Sequence, residues 1–95
     1  MVKFKQWNCK AKRGMYPNGN TAIQLFTEDG EPIAKGTVNL YDKLSKNKAY
    51  IKDYSENEGM LESLKEAGIV TEIIGYKQTG FVVVPLCKLN LALLE

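Results

Sequence analysis

Only one stretch of this chain repeats its apolar residues at helical spacing, and it lies between Tyr54 and Ile69. Leu61, Leu64 and Ala67 follow Met60 at offsets of one, four and seven, which draws a narrow apolar stripe along a helix of about three turns. Glu56, Glu62 and Glu66 turn away from that stripe. Ser55 and Glu58 stand at capping-box spacing, so the helix is expected over about 56–67 with Ser55 as its cap. Gly68 suits a left-handed C′ position, and Ile69 would then reach back onto Leu64 as in a Schellman motif. A chain with one short helix must bury the rest of its apolar residues as sheet. The expected class is therefore α+β: a single, mainly antiparallel sheet with the helix packed on one face.

The remaining segments alternate or are β-branched, with turn residues between them. Tyr16-Pro17-Asn18-Gly19-Asn20 separates a strand near 2–12 from one near 21–27, and the two should form a hairpin. After the Glu28-Asp29-Gly30-Glu31 turn, the run from Pro32 to Tyr41 reads as one strand. Ala34, Gly36, Val38 and Leu40 would share one face, and Lys35, Thr37 and Asn39 the other. A short strand over Lys48–Asp53 feeds the helix, and Ile69–Tyr76 and Phe81–Lys88 follow it around a Gln78-Thr79-Gly80 turn. The order reads βββ-β-α-ββ, in one domain spanning 1–95. Pro85 must either cause a bulge or turn its edge away from a partner. Leu89, Leu91, Leu93 and Leu94 form a tail that is either core or a self-association surface, the latter implying a homodimer.

At 95 residues the chain should leave roughly 5,500 Å² exposed and bury about 64% of its extended surface, enough for a core without staples. No apolar run approaches the roughly 18 residues of a membrane span, and the residues after Met1 lack the apolar core of a secretory signal, so the expected compartment is the cytoplasm. Two cysteines, Cys9 and Cys87, and no histidine limit the chemistry. A Ser-His-Asp or Cys-His triad and a histidine zinc site are excluded, and two thiols are too few for a tetrathiolate. The cysteines read as a redox pair or as two buried strand thiols, and a reducing cytosol favours the second. The glycines fall singly, without the spacing of a phosphate-binding loop. No spacing pairs a nucleophile with a base, so a non-catalytic protein without metal or cofactor is expected.

The net charge of +2 conceals a segregation along the chain. Lys3, Lys5, Lys10, Lys12 and Arg13 precede any acid, and Lys43, Lys46, Lys48 and Lys52 form a second basic stretch. Asp53, Glu56, Glu58, Glu62 and Glu66 then follow with only Lys65 between them. An exposed acidic face built on Glu56, Glu62, Glu66 and Asp53 suits a basic surface on a host protein. Alternatively, Lys10, Lys12 and Arg13 with Trp7 and Tyr16 suit a nucleotide or short nucleic acid, since bases stack on aromatics set among cations. Trp7, the single tryptophan, in a strand whose neighbours include Cys9, is more often a core anchor. One arginine among thirteen basic residues is few for specific DNA reading.

Trp7-Asn8-Cys9-Lys10, Tyr16-Pro17-Asn18-Gly19, Gly30-Glu31-Pro32, the stretch from Ile51 to Leu61, Ala67-Gly68-Ile69 and Val84-Pro85-Leu86-Cys87 together resemble an uncharacterised domain family of small proteins from phages, plasmids and conjugative elements of gut bacteria. The resemblance covers nearly the full chain and is most specific from Asp53 to Leu61. It carries no catalytic residues to transfer. It implies a small accessory protein of a mobile element acting inside a bacterium. The leading expectation is a counter-defence inhibitor, for example of a CRISPR effector, that binds and occludes a host protein. The alternative is a small oligomeric sponge for a nucleotide signal or short nucleic acid.

Overall fold

The computed structural model describes residues 1–95 and divides eight strands between two four-stranded antiparallel sheets, with one α-helix. The class is α+β as expected, but the strands do not lie in one sheet. The first sheet runs β1 (Val2–Phe4), β2 (Trp7–Met15), β3 (Thr21–Phe26) and β4 (Pro32–Lys35) in chain order. The segment read as one strand near 2–12 is a tight hairpin, with Phe4 opposite Trp7 and Lys5 at φ 53 between them. A lysine in the left-handed region leaves no composition signal. The β2–β3 hairpin forms where the turn residues place it: Gly19 takes φ 91, and the Tyr16 and Asn20 backbones close the turn.

The second sheet contains β5 (Thr37–Val38), β6 (Lys48–Ile51), β7 (Val70–Thr79) and β8 (Val82–Leu89), in the spatial order β5-β6-β8-β7. The run from Pro32 to Tyr41 is split because the chain changes sheets at Gly36. The Gly36 N–H donates to the Ile23 carbonyl of the first sheet at 2.8 Å. Its carbonyl accepts from the Lys52 N–H beyond β6 at 2.9 Å. A Cβ at position 36 would lie 3.4 Å from Met60 Sδ and 3.5 Å from Leu64 Cδ1, so glycine lets the helix seat on this corner. The crossing also reverses the expected faces, and Thr37 is buried.

The helix, α1 (Met60–Glu66), is shorter and starts later than the capping-box spacing implies. Ser55–Asn57 is a single 3₁₀ turn with Ser55 at φ 55, and Ser55 makes no side-chain cap. Asp53 replaces it: its Oδ1 accepts from the Gly59 N–H at 3.1 Å and the Leu61 N–H at 2.9 Å, with Gly59 at φ 96 as the turn into the helix. The C-terminus follows the sequence reading. Gly68 has φ 79, the Ile69 N–H donates to the Leu64 carbonyl, and the Gly68 N–H to that of Lys65. Met60 and Leu64 are fully buried, each contributing about 1.5–3 kcal/mol by burial. They join Cys9, Ile23, Leu25 and Ile51 in one core between the sheets.

The total accessible surface, 5628 Å², agrees with the size expectation. Pro85 lies one residue beyond the β6 ladder, which ends with Tyr50 opposite Leu86, so it interrupts no pairing there. The bulges occur on β7 instead. The leucine tail is covered by the chain itself. Leu89 is buried, Leu91 and Leu94 pack against the core, and Leu93 alone is about half exposed, at 49%. The Glu95 N–H and carbonyl bond to Ala11 and Arg13 on β2, tying the tail down. The leucines therefore do not require a second copy to cover them. No helix is long and apolar enough to cross a membrane.

Candidate functional site

Strand alternation sends Cys9, Ala11, Ile23 and Leu25 into the core, so Lys10, Lys12 and Gly14 of β2 and Ala22, Gln24 and Phe26 of β3 face outward. Register then builds a groove. Gly14 lies opposite Ala22, Lys12 opposite Gln24, and Gln24 opposite Lys35 of β4. The small pair forms a low floor, since a Cβ on Gly14 would meet only the Ala22 Cβ, at 3.7 Å. Around that floor stand Lys12, Tyr16, Gln24, Phe26 and Lys35, bordering about 320 Å³, while Arg13, opposite Ile23, belongs by alternation to the other face.

Two aromatic rings and two lysines line this volume, and neither lysine forms an ion pair; the three ion pairs of the protein are elsewhere. The Lys12 ammonium lies 5.0 Å from the Phe26 ring centre and that of Lys35 lies 5.4 Å from the Tyr16 ring centre. Tyr16 is anchored through its hydroxyl, 2.9 Å from Thr37 Oγ1, and burial pushes its pKa up, so the phenol stays neutral. The Lys35 backbone is held by the buried Asn57, whose amide donates to the Lys35 carbonyl at 2.6 Å. Tyr16 is thus fixed at its hydroxyl, and the only contact shown for the ammonium of Lys12 or of Lys35 is the ring beneath it.

Of the basic and aromatic residues singled out in the sequence, Lys12 and Tyr16 come together here, while Arg13 alternates to the other face of β2. Lys10 faces outward but lines a different, 160 Å³ depression with Ala67, Ile69 and Leu93. Trp7 packs against the core opposite Phe4, as a core anchor would. Gln24, Phe26 and Lys35 were missing from the sequence reading because they come from other strands. The signal was present in β3, where Ala22, Gln24 and Phe26 alternate with the core residues Ile23 and Leu25.

The acidic residues do not form one free face. Asp53 is occupied as the helix cap. Glu56 pairs with Lys52 at 2.9 Å, a bond that lowers its carboxyl pKa, and its backbone carbonyl accepts from Lys5 Nζ. Glu62 lies 4.0 Å from Lys65, while Glu66 is exposed and without an ion pair. Both cysteines are free and buried, and burial raises the pKa of each thiol, that of Cys87 to about 11. Neither is a thiolate nucleophile at neutral pH. A separate feature is the outer end of the β7–β8 hairpin, which overhangs the body and exposes Tyr76, Phe81 and Val83. Compared with known proteins, the chain matches no family model, no curated protein and no solved structure.

Proposed function

We propose that this protein works by binding, and that its ligand is both aromatic and anionic: a nucleotide or a short nucleic acid held in the groove of the first sheet. The observation that carries this reading is the juxtaposition of Tyr16 and Phe26 with unpaired Lys12 and Lys35 over a floor of Gly14 and Ala22. Energetics favour ligand entry. An exposed cation over a ring contributes about 0.5–1 kcal/mol. Stacking a base on the same ring contributes about 1–3 kcal/mol. A base can therefore displace a lysine from its ring, and the freed ammonium can meet phosphate. In a mobile element such a protein would act as a sponge for a nucleotide signal.

Titration of nucleotides and a labelled single-stranded oligonucleotide at low salt, by calorimetry and fluorescence anisotropy, tests the reading. Gly14→Val is the informative variant, because position 14 is not at positive φ and has room for a side chain, which would fill the floor. Binding should disappear while the melting temperature holds. Undiminished binding by this variant would place the ligand elsewhere.

The overhanging hairpin favours a second reading, a counter-defence inhibitor that occludes a host protein. Phe81, at 107% exposure, and Tyr76, at 68%, are exposed side chains of the type enriched at protein interfaces. Under it, Phe81→Ser with Tyr76→Ser abolishes capture of the partner from a bacterial lysate. Gly14→Val leaves capture intact.

A further inference from the structure

Where the Tyr16–Asn20 turn, the segment after β5 and the β7–β8 hairpin meet, the surface forms a shallow concavity of about 560 Å³. Val38 and Leu40, both partly buried, line it together with Pro17 and Thr79. Tyr41 stands beside them fully exposed, at 105%. The amides of Asn18 and Asn39 complete the lining. Charged residues make up 25% of the chain, yet none lines this surface, so it suits a neutral partner.

The buried Asn20 fixes how those two amides are turned. The Leu44 N–H donates to Asn20 Oδ1 at 2.8 Å, so Asn20 Nδ2 must be the donor to Asn39 Oδ1 at 3.1 Å and to the Asp42 carbonyl at 2.9 Å. The Asn20 N–H in turn donates to Asn18 Oδ1, also at 3.1 Å. Asn18 and Asn39 therefore have their oxygens engaged within the protein, while both residues are exposed and neither NH2 group has a partner. The surface offers donors beside an aromatic ring. Because the network holds them before any partner arrives, little ordering cost is left to binding.

We infer that this concavity docks a proline-rich segment of another protein in the polyproline II conformation. Such a segment is its chemical complement. A run of prolines carries no charge and no N–H, presents its carbonyls as acceptors, and lays its rings on aromatic-lined surfaces. A neutral sugar would bring as many donors as acceptors, and the surface has no carboxylate to receive them. The inference stands apart from the groove, whose lining is cationic.

Decaproline, which adopts this helix in water, is the probe, with a flexible glycine-serine decapeptide and a neutral glucose hexasaccharide as controls. In titrations of isotope-labelled protein followed by nuclear magnetic resonance, decaproline alone should shift the side-chain NH2 signals of Asn18 and Asn39, equally at low and high salt. Asn18→Asp and Asn39→Asp keep the oxygen that Asn20 uses and replace the outward donor by an acceptor. Each should weaken decaproline binding about twofold to tenfold with the melting temperature held. Tyr41→Ser, at a fully exposed position, should weaken it without touching the network. No shift with decaproline, equal binding of the glycine-serine peptide, or binding that all three variants leave undiminished overturns the inference. Binding of the hexasaccharide in place of decaproline also overturns it, and assigns the surface to a sugar.

Discussion

The hydroxyls of Tyr16 and Thr37 lie 2.9 Å apart across the corner where the two sheets meet. Thr37 Oγ1 also accepts from the buried Ile23 N–H at 3.2 Å, so one side chain serves both the core and the wall of the groove. Thr37→Val keeps the shape and removes both bonds. It should cost about 2 kcal/mol in urea unfolding, chiefly from the stranded amide, and weaken ligand binding by loosening Tyr16. Tyr16→Phe should cost less and retain stacking.

The two ends of α1 give an ordered series. Asp53→Ala removes the acceptor for two N–H groups and should cost about 1 kcal/mol. Ser55→Ala should change stability by less than about 0.5 kcal/mol, because Ser55 caps nothing. Gly68→Val forces a branched residue to φ 79 with a Cβ 3.3 Å from Leu93 Cδ1, and should cost about 2 kcal/mol. Thermal or chemical denaturation reads all three. A Ser55 effect equal to that of Asp53 would contradict this capping.

Asp42 accepts from the Tyr50 hydroxyl, which holds its carboxyl below the ordinary value, with Lys77 adding to the effect. A depressed carboxylate contributes stability above its unfolded pKa, and the contribution is lost as pH falls through the folded pKa. Tyr50→Phe should thus cost about 1 kcal/mol near neutrality, discounted for the partly exposed carboxylate, and the gap should close in acid. Burial and Asp42 push Tyr50 up to about 12. The native protein should therefore lose stability from about pH 10, the ordinary tyrosine value, toward 12, by an increment the variant lacks. Parallel stability profiles for the two proteins would argue against the pair.

Cys9 and Cys87 are fully buried with raised pKa values. A thiol reagent added to the folded protein should label neither except through unfolding, and both should react at once in denaturant. Rapid labelling of Cys87 in the native state would show an opening of the second sheet.

What could be read from the residues was local. The Tyr16–Asn20 turn and the Gly68-Ile69 helix stop each depend on neighbours in sequence, and each is where the pattern puts it; β7 and β8 pair as expected, but β7 runs on through Gln78 and Thr79 and the turn is Gly80-Phe81. The start of the helix was misread because Ser55 and Glu58 satisfy a spacing rule whose geometry Ser55 does not adopt, while Asp53 caps from farther back. The division into two sheets was hidden at Gly36, where an alternating pattern continues through a change of partner. The groove was half legible: Lys12 and Tyr16 are close in sequence, whereas Phe26 and Lys35 reach it only through strand register, and Arg13, beside Lys12 in sequence, alternates away from it.

The placement of β6 also sets an order in time. Its Tyr50 pairs with Val38 on one side and with Leu86 on the other, so its second neighbour emerges from the ribosome long after its first. The β2–β3 hairpin and the corner at Gly36 can assemble from the first half of the chain. Until β8 arrives, β6 presents an unpaired edge flanked by Ala49 and Ile51, whose side chains are destined for the core. The return of β8 to close that edge is the slow, late step that distant pairings impose, and the nascent protein is most prone to sticking to other copies just before it.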